Sequence, residues 1–110
     1  MVEGKLRYED LRTVYFISPK YLLEDVRRCF TKLGLCVDIL KGTENQWILK
    51  GSKPNVNVTI FLTYERKVAI PSPLFGEIPV SSLRAMVESV EEFINIFKKC
   101  YEICLLRSLG

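Results

Sequence analysis

The C-terminal part of the chain carries its strongest periodic pattern. Between Ser81 and Arg107, apolar residues recur at alternating spacings of three and four, which is the spacing of one face of an α-helix. The two columns of this pattern are Leu83, Val90, Phe97 and Cys104, and Met86, Phe93 and Cys100. The pattern predicts one amphipathic helix over 81–107, roughly 40 Å long at about 1.5 Å per residue.

Further apolar residues near the end of this predicted helix lie outside the main stripe or at its margins. They are Ile96, Ile103, Leu105 and Leu106. A helix that packs on one sheet needs only one apolar face, so these residues predict a second contact surface. A second copy of the chain is the simplest partner, and we expect the four residues to form a partner interface on the helix.

Alternating apolar and polar residues in the middle of the chain predict β-strands. The clearest run is 55–64, in which every second residue from Val56 to Leu62 is apolar. Weaker patterns predict further strands at 13–17, 35–39, 46–50 and 67–70. We expect a tight reversal at Glu65–Arg66 and a proline-rich loop, Pro71–Pro79, before the C-terminal helix.

A shorter helix is predicted near the N-terminus, over 19–33. Ser18 is a suitable N-cap, Pro19 suits the first helical position, and Gly34 suits a left-handed C-terminal cap. The resulting order is β-α-β-β-β-β-α, in which short turns join the central strands into an antiparallel meander. This order resembles one repeat of the TATA-binding-protein-like folds, a resemblance of topology alone.

The predicted architecture is a single α+β domain over residues 1–110. It has two layers, with both helices on one face of a five-stranded, mostly antiparallel sheet and a long C-terminal helix. Apolar residues make up 48% and charged residues 26% of the chain, a balance typical of a globular domain. A single glutamine and four asparagines are few, as is typical of thermophilic proteins.

The sequence carries no sign of export or membrane insertion. The N-terminus is too charged for a signal peptide, and the uncharged runs are too short to cross a bilayer. We therefore expect a cytoplasmic protein that does not bind membranes.

Residues that would carry chemistry are scarce. The chain has no histidine, no glycine-rich phosphate loop and no CxxC pair. We therefore expect no catalytic residue, no metal, no cofactor and no small-molecule ligand. The four cysteines, Cys29, Cys36, Cys100 and Cys104, are interpreted as small apolar thiols whose redox state the spacing leaves open. Because Cys100 and Cys104 lie one helical turn apart, a four-cysteine metal site stays open as an alternative.

The strand alternation also predicts the face of the sheet that the helices leave open. Its residues are Cys36, Asp38, Leu40, Gln46, Ile48, Lys50, Asn57, Thr59, Phe61, Thr63, Lys67 and Ala69, with Tyr15 as an addition. This mixture is too apolar for a fully solvated surface and too polar for a core. Three interpretations remain: a solvated face, a protein interface, and a nucleic-acid surface that uses phosphate contacts and stacking. The candidate contact residues are Tyr15, Ile48, Lys50, Phe61 and Lys67.

These observations favour a non-enzymatic protein-interaction module. We expect a homodimer or a small subunit of a larger complex, with the helix, the open sheet face or both as the contact surface. The alternative is a nucleic-acid-binding module that uses the open face. The net charge of only +3, with dispersed basic residues, makes nucleic acid the less favoured partner. The sequence does not identify the partner or the pathway.

Overall fold

The computed structural model describes residues 6–15, 17–42, 44–68 and 77–109, with the backbone alone at 67, 68 and 106–109. Five strands and two helices follow one another in the described chain. They are β1 (Leu6–Tyr15), α1 (Pro19–Lys32), β2 (Cys36–Lys41), β3 (Gln46–Lys53), β4 (Val56–Val68), β5 (Glu77–Ser89) and α2 (Glu91–Leu109). The predicted order β-α-β-β-β-β-α is confirmed.

The five strands form one open sheet in the spatial order β1-β5-β4-β3-β2, with every neighbouring pair antiparallel. Short turns join β2, β3 and β4, whereas α1 carries the chain from the edge strand β1 to the opposite edge strand β2. Both helices contribute to one core on the same face of the sheet. The predicted two-layer α+β class is therefore confirmed.

The two ends of α1 lie where the sequence predicts them. The Ser18 hydroxyl accepts a hydrogen bond from the backbone N–H of Lys20 at 3.3 Å, and Pro19 starts the first turn. After the C-cap Leu33, Gly34 has a φ of 76°, a left-handed conformation that glycine adopts without steric cost. The local sequence thus accounts for both ends of this helix.

The segment 81–89 is a strand, so the first part of the predicted C-terminal helix is wrong. Every second side chain from Ser81 to Ser89 is buried, and the residues between them lie on the other face of the sheet. Leu83 and Met86, neighbours in the predicted heptad pattern, therefore point to opposite faces. Pairing with β1 on one side and β4 on the other satisfies the backbone hydrogen bonds of β5, which favours the extended chain.

The predicted reversal at Glu65–Arg66 is also wrong, because β4 continues without a break to Val68. The fifth strand is β5 and not the predicted strand 67–70, whose last two residues lie outside the described residues. Part of the predicted loop belongs to β5, where Pro79 pairs with Arg66 of β4. Among the described residues, the register of β1 with β5 runs to Tyr15 and Val80, and proline is tolerated near the end of such a pairing.

The core lies between the helices and the covered face of the sheet. Among its fully buried side chains are Val26, Phe30, Leu49, Ile60, Leu62, Leu83, Phe97 and Tyr101. Gly51 allows α1 to approach β3 closely, because a Cβ at this position would lie 2.8 Å from Cδ2 of Phe30. The rings of Phe97 and Tyr101 stack with centroids 5.1 Å apart, which anchors α2.

Candidate interaction surface

Neither described helix packs on the second face of the sheet, which we call the open face. A row of side chains crosses all five strands there through register pairs, in the order Leu11, Arg84, Phe61, Ile48 and Leu40. Leu11 is 76% exposed, Leu40 48% and Phe61 38%, and Ile48 is half-buried. We call these four apolar residues the apolar row, which Arg84 interrupts between β1 and β4.

Charged side chains on the open face occur in opposite-sign pairs. Arg7 lies 3.5 Å from Glu88, and Arg84 lies 3.5 Å from Glu9, so both pairs join β1 to β5. On the other side of the sheet, Lys50 of β3 is the register partner of Asp38 of β2. Described basic side chains on this face therefore do not outnumber the acidic ones. A surface of this kind attracts neither a polyanion nor a polycation strongly.

Two shallow depressions lie on the open face. The first, about 420 Å³ in volume, is lined largely by Leu11, Thr13, Phe61, Thr63, Ser82 and Arg84. The second, about 440 Å³, is lined largely by Cys36, Asp38, Lys50, Ser52, Asn57 and Thr59. Side chains of a partner can insert into these depressions.

Most of the residues predicted on the sheet come together on this face. Phe61 and Ile48 belong to the apolar row, Lys50 is exposed beside it, and Tyr15 is 52% exposed at the end of β1. Lys67 lies in β4, but its side chain is outside the described residues.

Sequence reasoning missed Leu11, which belongs to the apolar row, and Arg84, which interrupts it. Leu11 was missed because β1 begins at Leu6, well before the predicted strand 13–17, and Arg84 because its segment has the heptad spacing of a helix. The alternation of apolar and polar residues from Leu83 to Glu88 is the signal that would have found Arg84.

The predicted interface on the C-terminal helix is only partly exposed. Ile96 and Ile103 are 51% and 55% exposed on the outer face of α2. Leu105 is 3% exposed and belongs to the core, so it is not available to a partner of the folded chain. The reason is the true helical period: Phe97, Tyr101 and Leu105, each four residues apart, face the sheet together. The side chain of Leu106 lies outside the described residues.

Polar contacts on the covered face hold α2 against β1. The guanidinium of Arg12 donates two hydrogen bonds to the carboxylate of Glu102, at 2.8 and 2.5 Å, and its Nε lies 2.9 Å from Oδ2 of Asp10. These hydrogen bonds keep the pKa of Glu102 below its ordinary value. Burial, followed by the Asp10 carboxylate, raises the pKa of Tyr101, which keeps its hydroxyl neutral. The arrangement adds a polar connection between α2 and β1 to the packing of the core.

Three of the four cysteines meet between the helices. The sulfur atoms of Cys29, Cys100 and Cys104 all lie within 4.8 Å of one another. All four cysteines are in the described part of the chain, and none forms a disulfide. Burial raises the pKa of Cys29 and that of Cys104, so both are protonated thiols. Cys36 is exposed in β2, on the open face.

No protein-family model matches this chain, and no curated protein matches it. Over the ranges that the structure describes, neither helix combines the length and the apolar character that a membrane span needs.

Proposed function

We propose that this protein is an association module whose open face binds a second copy of the chain. The observation that carries the proposal is the apolar row, whose exposed and half-buried side chains from four strands form one strip that only Arg84 interrupts among the described residues. Each apolar Å² removed from water contributes roughly 25 cal/mol, so a strip of this kind favours association.

The size of the open face supports a dimer. Five strands about 4.8 Å apart and about 30 Å long present a surface of roughly 700 Å². A stable protein interface buries about 800 Å² on each partner. The open face therefore approaches the required area, whereas the exposed strip formed by Ile96 and Ile103 is much narrower.

The charge pattern of the open face supports a protein partner over a nucleic acid. In a two-fold dimer the same surface meets itself, so a face with both signs of charge around an apolar strip can be its own complement. A nucleic acid would instead have to separate Arg7 from Glu88 and Arg84 from Glu9 before phosphates could bind. The aromatic residues Tyr15 and Phe61 are suited to stacking on bases, so nucleic-acid binding is tested as a separate outcome.

Sedimentation equilibrium tests the proposal. At tens of micromolar, wild-type protein is expected to be a dimer. Phe61→Glu puts a charge in the middle of the apolar row, so this variant is expected to be a monomer. Its circular dichroism spectrum is expected to match that of wild type. The matched control is Ile96→Glu with Ile103→Glu, which alters the exposed side of α2 and is expected to leave the dimer intact. A monomeric wild type contradicts the proposal. A dimer that only the α2 variant disrupts assigns the interface to the helix instead.

Titration with oligonucleotides tests whether the partner is a nucleic acid and not a protein. In about 150 mM salt, we expect binding to duplex and single-stranded oligonucleotides to be weaker than micromolar, because basic side chains are not in excess. Tighter binding that Lys50→Ala weakens would assign the open face to nucleic acid.

A further inference from the structure

We propose that Cys29, Cys100 and Cys104 form a binding site for one Cu(I) ion between α1 and α2. The site is built by packing and not by a local motif. One helical turn places Cys100 and Cys104 on the same side of α2, and α1 adds Cys29 from 71 positions earlier in the chain. Their sulfur atoms are mutually within 4.8 Å.

The spacing of the three sulfur atoms suits a single metal ion. At a metal–sulfur distance of about 2.3 Å, three sulfur ligands in a plane around an ion lie about 4 Å apart. The cluster therefore needs to contract by less than about 1 Å, which small rotations about the side-chain bonds supply. Cys29 and Cys104 are buried, while Cys100 is partly exposed, so solvent reaches the cluster at this residue.

The donor set selects a soft ion. The chain contains no histidine, and within the described residues no carboxylate joins the cluster, so all three donors are sulfur. Thiolate sulfur selects Cu(I), Zn(II) and iron–sulfur clusters among biological metal centres, and iron–sulfur clusters are typically held by four cysteines. Structural Zn(II) sites take four protein ligands, whereas Cu(I) is satisfied by three sulfur atoms in a plane. The three-sulfur cluster therefore fits Cu(I) better.

Binding requires no redox step. The ion enters as Cu(I) and leaves the site as Cu(I), and each thiol that becomes a thiolate ligand releases one proton to solvent. The bound ion joins α1 to α2 through three metal–sulfur bonds, so it stabilises the folded chain over the unfolded one.

A competition titration under anaerobic, reducing conditions tests the site, with Cu(I) supplied as its bicinchoninate complex. Wild-type protein is expected to withdraw one Cu(I) per chain from the chelator. Cys36→Ser is the matched control, because this exposed cysteine lies on the other face of the sheet, and it should bind as wild type does. Cys100→Ser and Cys104→Ser should weaken binding by about 100-fold or more, since each removes a direct ligand.

A second measurement separates ligand loss from misfolding. Cu(I) should raise the thermal unfolding midpoint of wild type and of Cys36→Ser, and leave that of Cys100→Ser unchanged. Cys29→Ala, a substitution that buries no new polar group, should keep the circular dichroism spectrum and lose the metal response. Three results would overturn the site. They are no uptake of Cu(I) by wild type, unchanged uptake in the three cluster variants, and loss of uptake in Cys36→Ser. Stoichiometric Zn(II) binding in preference to Cu(I), measured with the metal alone, would overturn the choice of ion.

Discussion

At the scale of single residues, the contact between α1 and β3 depends on Gly51. A Cβ at this position would meet Cδ2 of Phe30 at 2.8 Å and Cδ1 of Leu35 at 3.0 Å. Both neighbours are buried, so neither can move away freely. The absence of a side chain at Gly51 is therefore what lets the phenylalanine ring rest on the sheet.

Gly51→Ala is expected to lower the free energy of unfolding by about 1–3 kcal/mol, as overpacking of a core does. Chemical denaturation measures the loss. Gly42→Ala is the matched control, because the nearest atom to its added Cβ is 3.6 Å away, at an ordinary contact distance. We expect the control to change stability by less than about 0.5 kcal/mol. Equal effects of the two substitutions would show that the close approach of α1 to β3 is not as described.

Phe97 is one of the large, fully buried side chains of α2. Its side chain is fully buried and stacks on Tyr101, so Phe97→Ala is expected to destabilise by about 3–5 kcal/mol. The adjacent Ile96 is 51% exposed, and Ile96→Ala should cost less than about 1 kcal/mol in the same denaturation experiment. A loss below about 1 kcal/mol for Phe97→Ala would mean that this face of α2 does not form the core.

At the scale of elements, α2 is joined to β1 by the ion pair of Arg12 and Glu102. The side chain of Glu102 is 49% exposed, so solvent screens the pair and its contribution is modest, about 1 kcal/mol or less. The pair nevertheless gives a pH-dependent contribution to the attachment of α2, because the pKa of Glu102 is lowered in the folded state.

Glu102→Gln is expected to lower stability at neutral pH and to lose this effect in acid. The folded-state pKa of Glu102 lies below its ordinary value of 4.5, so its stabilisation is present above pH 4.5 and disappears as the pH falls through the folded-state pKa. Denaturation of both proteins at pH 7 and pH 3 measures the difference. If the difference in unfolding free energy between the two proteins is the same at both pH values, the charge of the Glu102 carboxylate does not contribute to that difference.

At the scale of the whole molecule, the open face is the part of the sheet that the chain's own helices do not use. If two such faces associate, folding and association are linked, so stability depends on protein concentration. The thermal midpoint of wild type is expected to rise when the concentration is raised from about 1 to about 100 µM, and that of Phe61→Glu to stay constant. A concentration-independent midpoint in wild type would count against the dimer.

Elements with one unambiguous local signal were predictable from the sequence. Ser18, Pro19 and Gly34 mark the ends of α1, and the alternation from Val56 to Leu62 identifies β4. Each signal depends on residues close to one another in the chain, and steric and hydrogen-bonding preferences act over that range. The element order was also predicted, although the local patterns assigned its fifth strand to 67–70 and not to β5. The existence of an open face follows from the alternation in the strands, together with the shortness of the turns.

Tertiary structure decided what these local patterns left ambiguous. The segment 81–89 carries both a heptad spacing and an alternating one, and pairing with β1 and β4 selects the strand because it satisfies the backbone on both sides. The same holds for the thiol cluster, since Cys29 meets Cys100 only because α1 and α2 pack side by side on one face. The open face likewise gains Leu11 and Arg84 only when β1 and β5 pair in register. Contacts of this kind join residues far apart in the chain, and their free energy appears only when the whole sheet forms.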